Sequence, residues 1–305
     1  MTFGYYFSFT APPTEETLLQ NTLWPEVQKL YGHGYEVFNM AADPQHKMLV
    51  SSTKAQQAEH ASIFIWDVEN WQLVDKLVGH SLTVTQMAFS PDGQRLLSVS
   101  RDRTWLVHEK VNLSNGKQTL KTVAKGSGGS RILWSCDWSH DSRYFVTGSR
   151  DKRVVVWSPD GDSYAICGQP LLCNDSVTAV AFCPLALATG SFVLAIGLDS
   201  GVILIYKWTV DPENQWNMIA TLNQRYFLRI SSNNLMSMSA HALTRLLSNI
   251  ISRAHHKTVN RLKFRPVPGA TGVRTKSQEM TVELASCGAD NALKIYTICL
   301  DRLLK

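Results

Sequence analysis

The strongest constraint on this chain is that it repeats itself. Residues 24–52 (WPEVQKLYGHGYEVFNMAADPQHKMLVSS) realign without a gap on residues 71–99 (WQLVDKLVGHSLTVTQMAFSPDGQRLLSV), a shift of 47 residues. A second shift, of 49, lays SVSRDRTWLVH (98–108) over TGSRDKRVVVW (147–157) and SPDG (90–93) over SHDS (139–142). A period in the forties is too short for a domain and suits one supersecondary unit that buries its faces against neighbouring copies.

Each unit reads as four short strands. In the second, Val84, Gln86 and Ala88 alternate along one strand, SPDG supplies a tight turn, RLLSVS returns, RDR turns again, and TWLVH is the third strand. Third strands recur at SIFIWD (62–67), RVVVWS (153–158), VILIYK (202–207) and LKIYTI (293–298), rich in β-branched and aromatic residues. The fold expected is all-β: a WD40-type β-propeller with about five recognisable blades in an incomplete ring. Residues 1–23 are assigned to an N-terminal extension and partial blade, and 24–305 to blades. The first blade carries the insertion KAQQAEH (54–60). A larger insertion at about 208–255 includes LMSMSAHALTRLLSNIIS (235–252), whose apolar spacing is helical. KGSGGS (125–130) has the composition of a flexible link leading into the third blade.

Composition limits the functional classes. A 44% hydrophobic, 18% charged chain can bury a core, and no apolar run reaches the ~20 residues of a bilayer span. The start MTFGYYFSFT lacks the basic and apolar regions of a signal peptide, so the expected location is the cytoplasm and nucleus. Cysteines 136, 167, 173, 183, 287 and 299 form no CxxC pair, which argues for reduced thiols, no metal and no cofactor.

His80, Ser98 and Asp102 have the residue types of a catalytic triad. Related sets recur by blade, however: His33 with Ser51, Thr147 with Asp151, and Ser286 with Asp290. A triad normally occurs once, whereas repetition indicates architecture. In WD blades a His before the first strand, a hydroxyl on the second, an Asp in the following turn and an aromatic on the third form a buried hydrogen-bond chain. The residues assigned to it are His33, Trp66, His80, Ser98, Asp102, Thr147, Asp151, Trp157, Asp199, His256, Asp290 and Tyr296, and His108 replaces the second blade's Trp. No catalytic residue is assigned. Because the His–Asp contact puts the loop leading into a blade beside its second turn, Arg101, Arg103, Arg131, Arg150, Lys152 and Arg153 should cluster on one rim. Such a rim suits carboxylates or phosphates of a partner; the alternative is that its cations pair with the blade aspartates.

The runs at 10–37, 54–67, 80–105 and 134–157 (TAPPTEETLLQNTLWPEVQKLYGHGYEV, KAQQAEHASIFIWD, HSLTVTQMAFSPDGQRLLSVSRDRTW, WSCDWSHDSRYFVTGSRDKRVVVW), with ELASCGADNALKIY (283–296), closely resemble the WD-repeat second subunits of the Elongator complex, in the later part of their second propeller. The resemblance implies a non-catalytic scaffold that holds other Elongator subunits, the large scaffold and the catalytic one, and supports modification of wobble uridines in transfer RNA. It also brings attributed roles in transcription elongation and signalling. Direct transfer RNA contact is secondary, since a net charge of +5 is mild; no membrane or small-molecule substrate is implied. The other reading is an independent WD adaptor for an acidic or phosphorylated peptide.

Overall fold

A computed structural model describes residues 28–114, 116–187, 190–211, 215–222, 254–267 and 280–303. Its strands fall into five antiparallel sheets in chain order. The first holds β1 (Val37–Ala42), β2 (Met48–Thr53), β3 (Ile63–Asp67) and β4 (Gln72–Leu77). The second holds β5 (Val84–Phe89), β6 (Arg95–Ser100), β7 (Thr104–Asn112) and β8 (Gln118–Ser127). The third holds β9 (Leu133–Trp138), β10 (Phe145–Ser149), β11 (Arg153–Asp160) and β12 (Ser163–Ile166), with short β13 (Leu171–Leu172) beside β11. The fourth holds β14 (Val177–Phe182), β15 (Phe192–Leu198), β16 (Ile203–Trp208) and β17 (Trp216–Leu222), and the fifth β18 (Val259–Phe264), β19 (Thr281–Gly288) and β20 (Leu293–Cys299).

Consecutive first strands pack side by side, β1 on β5, β5 on β9, β9 on β14 and β14 on β18. The sheets therefore succeed one another as blades about one axis, an incomplete β-propeller. Every first strand carries a bulge at the equivalent place: Phe38, Thr85, Trp134, Thr178 and Asn260 are each skipped in the pairing with the second strand. A bulge increases local twist and re-aims the extra side chain. Five bulges in register keep the blades alike.

The cores lie between blades, one at each of the four junctions. Met48, Val50 and Ile65 of the first blade pack with Val84, Met87 and Leu96 of the second. Trp105, Trp138, Phe145 and Trp157 fill the next junction, Val156, Leu194 and Trp208 the third, and Ile205, Val259 and Leu284 the fourth. Each blade is stabilised mainly by its neighbours, so the end blades keep uncovered apolar groups: Met40 is 66% exposed on β1 and Leu293 72% on β20.

Two segments differ from their sequence reading. Trp216–Leu222, placed within the insertion at 208–255, is instead the fourth strand of the fourth blade, paired with β16 along its length; residues 223–253 and 1–27 lie outside the described residues. The glycine run at 125–130 is packed rather than a loose link. Gly126, next to the end of β8, lies directly over the Trp105 indole, where an added Cβ would stand 2.2 Å from the ring. The glycine is needed because strand and indole approach so closely.

Candidate functional site

The blades are braced by polar chains whose completeness varies. In the second blade, His80 Nδ1 meets Asp102 Oδ2 at 3.0 Å, its Nε2 meets Ser98 Oγ at 2.9 Å, Ser98 Oγ meets His108 Nε2 at 3.0 Å, and His108 Nδ1 meets Thr122 Oγ1 at 2.9 Å. Asp102 sets the direction of the chain, since a carboxylate only accepts: His80 donates through Nδ1, Ser98 donates to His80, and His108 donates to Ser98 through Nε2. The Nε2–H of His108 thus does the work of the indole N–H that a Trp supplies in its place, and Thr122 satisfies the ring's other nitrogen. Burial, with His80 nearby, lowers the His108 pKa to about 3. Burial alone would raise the Asp102 carboxyl, but hydrogen bonds from His80, Thr104 and the Ser81 amide hold it well below the usual carboxylate range.

In the first blade His33 and Trp66 both meet Ser51 Oγ at 2.7 Å, and no aspartate among the described residues completes the set. The third blade keeps Trp157, which donates to Thr147 Oγ1 at 3.0 Å, but Gly129 stands where the His would be. Ser130 compensates, its amide and hydroxyl reaching Asp151 Oδ2 at 3.0 and 3.2 Å. A Cβ on Gly129 would lie 2.7 Å from that same oxygen, so loop and carboxylate are fitted to each other.

Two assignments are corrected by register. The fifth blade is braced by His255, not His256: His255 Nδ1 lies 2.9 Å from Asp290 Oδ1 and its Nε2 2.7 Å from Ser286 Oγ, whereas His256 contributes its backbone N–H to Asp290. Burial would raise the Asp290 carboxyl, yet the His256 amide and the His255 ring bring it down to about 2. Asp199 belongs to no such set. Val177 pairs with Leu198 as Val84 pairs with Ser100, which places Asp199 level with Arg101 and puts Ile196 where Ser98 stands. Its side chain instead accepts a hydrogen bond from Thr258 of the next blade at 2.6 Å. Tyr296 does take the aromatic place opposite Leu284, as Tyr206 does opposite Leu194.

None of the hydroxyls can serve as an accessible nucleophile in this arrangement. Ser98 is 0% exposed, with its oxygen held between two imidazoles, and Thr147 and Ser286 are each 1% exposed. Catalysis needs the nucleophile in reach of a substrate; here the sets hold the blade turns in place.

What those turns present is charge. Arg101, Arg103, Arg131, Arg150, Lys152 and Arg153 are all exposed. The Arg101 amide bonds Thr83 O and the Arg150 amide bonds Ile132 O, so equivalent backbone positions anchor the two residues beside the loops that lead into their blades. The carboxylates of Asp102 and Asp151 are turned toward Thr104 and His80 and toward Ser130, leaving all six cations without an ion-pair partner among the described residues. Lys54, which shares the backbone position of Arg101 and Arg150, was missed in the sequence because it reads as the first residue of the insertion at 54–60; it pairs with Glu36.

Arg103 and Lys152 both have φ of 71°. In the fourth and fifth blades the same turn position is held by Gly201 and Asn291, residues that tolerate left-handed backbone. Long cationic side chains at such positions cost about 1–2 kcal/mol each relative to an unstrained placement. The rim therefore carries charge at the expense of stability.

Repeated four-stranded blades, braced in this way and stacked about an axis, define a WD-repeat propeller protein; the WD domain, G-beta repeat family matches residues 71–109 and 118–158. Over nearly all its length the chain is also homologous to Elongator complex protein 2. It is 40% identical to that protein of Danio rerio over 314 residues, covering 96% of this chain and 35% of the relative. Identity is 42% with the Drosophila melanogaster protein, covering 94% and 32%, and 39% with the Homo sapiens protein, covering 95% and 34%. The chain thus spans about a third of the length of these relatives.

Proposed function

We propose that this chain is a non-catalytic WD-repeat scaffold of the Elongator complex. Its basic rim takes up acidic groups of another subunit, in the cytoplasm and nucleus, and in this way supports wobble-uridine modification of transfer RNA and the transcription roles attributed to the complex. The supporting observation is the rim itself, with six exposed cations unpaired among the described residues and two of them on left-handed backbone. Guanidinium groups favour planar carboxylates, and charges held on braced turns lose little entropy when they engage a partner. The blade chains supply the bracing.

Charge reversal tests this directly. Arg101→Glu together with Arg150→Glu should abolish capture of Elongator subunits from cell extract, identified by mass spectrometry, while the melting curve stays close to that of the parent chain. Unchanged capture would remove the rim from the interface. Loss of Elongator subunits with retained binding of an acidic peptide would favour an independent adaptor.

A further inference from the structure

Along the axis, inside the arc of first strands, lies a cavity of about 660 Å³. This is within the ~300–1,000 Å³ typical of ligand sites. The bulged residues Phe38 and Trp134 form part of its wall, and Arg150, Asn260 and Arg261 also line it. Arg261 reaches across from the fifth blade to the second, donating through Nη2 to Thr85 O at 2.7 Å and through Nη1 to Asn260 O at 3.2 Å. Asn39 of the first blade donates to the same Thr85 oxygen at 3.0 Å. Arg261 therefore spans the axis with only carbonyl oxygens as partners among the described residues, which leaves further N–H groups of its guanidinium able to donate.

Donors outnumber acceptors here. Among the described residues neither Arg150 nor Arg261 has a carboxylate within ion-pair distance, and neither the Asn260 carboxamide nor the Trp134 indole has a hydrogen-bond partner. The one carboxylate lining the cavity, Asp199, already accepts from Thr258. A partly buried guanidinium without a countercharge is costly, and an incoming anion that pairs with it relieves that cost. The aromatic wall adds a preference for an apolar stem beside the charge.

We propose that the axial cavity seats an acidic side chain of a partner protein, its carboxylate held by Arg261 and Arg150 and its apolar neighbour resting on Phe38 and Trp134. This deepens the scaffold reading and rests on it: the rim draws in the acidic segment, and the cavity fixes one residue of it.

The probe is a fluorescent peptide alternating glutamate and leucine, followed by polarisation at low salt, with capture of Elongator subunits measured in parallel. Arg261→Gln and Arg150→Gln should each weaken peptide binding about tenfold, and the glutamine version of the peptide should not bind. If Arg261→Gln lowers the melting temperature, Asn260→Asp, which puts a like charge into the cavity from an exposed position, should weaken binding by a similar factor. Peptide binding that is insensitive to Arg261→Gln and Asn260→Asp, the two substitutions outside the rim, overturns the proposal, and retained subunit capture by those two variants would then leave the rim reading standing. Binding of inorganic phosphate that depends on Arg261, without peptide binding, would also overturn it, in favour of a small-anion site. Loss of subunit capture by the unmodified chain would remove the scaffold reading instead.

Discussion

The second and third blades share the antiparallel order of their first three strands but are held by different means. In the second, five polar side chains run from Asp102 through His80, Ser98 and His108 to Thr122 without a gap. In the third the chain is broken at Gly129, and the load passes to aromatic rings: Trp157 stacks on Phe145 with centroids 5.9 Å apart, and Trp105 meets Trp157 edge-on at 5.0 Å. The fourth blade shows the limit of the trend, with Ile196 in place of the hydroxyl and a wholly apolar β15. A blade can therefore give up its polar chain when its junction buries enough apolar surface, because packing is non-directional and hydrogen-bond chains need every member.

That contrast can be broken from either side. Trp157→Ala should open a cavity in the aromatic junction and cost about 3–5 kcal/mol in denaturant titration. Ser98→Ala leaves the ring nitrogens of His80 and His108 without their shared partner and should cost about 2 kcal/mol. If Ser98→Ala proved the more damaging, the polar chain would be the main support and the comparison would reverse.

Acidity separates the two blades further. His108 is neutral in the folded chain, with its pKa lowered from the ordinary value near 6.5 to about 3, so the unfolded chain takes up the proton first. The stability contributed by the neutral ring is therefore full above pH 6.5 and is lost as pH falls toward 3, by about 1.4 kcal/mol per pH unit. Asp102 and Asp290, whose carboxyls are depressed, keep their contribution until pH drops below 3.8, so the window from pH 6.5 to 4 reports His108 together with His33, whose pKa burial also lowers. His108→Trp places an indole N–H toward Ser98 and should flatten the stability profile in that window. An unchanged slope there would show that His108 does not carry the acid sensitivity.

Much of this was legible before any coordinates. The 47-residue repeat and the strand alternation led to the blade architecture, and the His80–Ser98–Asp102 set was recognisable because each member recurs elsewhere at matching spacing. The misplacements are one-residue errors with identifiable causes. His33 and His80 each precede the first residue of their strands, Val37 and Val84, by four positions, and the same offset from Val259 selects His255 over its neighbour. Asp199 resembles the turn aspartates because it too lies in the second turn of its blade, but Gly197–Leu198–Asp199 aligns with Gly148–Ser149–Arg150, which puts Ser200 where Asp151 stands. The glycines at 125–130 look flexible in isolation; their purpose depends on Trp105, twenty-one residues earlier than Gly126, and is visible only in three dimensions.

The rim and the frame beneath it make opposite demands at Arg103 and Lys152, where charge is presented on left-handed backbone. The most direct measurement is therefore to replace both by glycine and record stability and partner capture on the same preparation. The substitutions should raise stability by about 1 kcal/mol, because relief of backbone strain at the two positions outweighs the extra unfolded-state entropy of glycine, and at the same time weaken subunit capture. Improved stability with capture intact, or capture lost only together with folding, would contradict a rim that trades stability for binding.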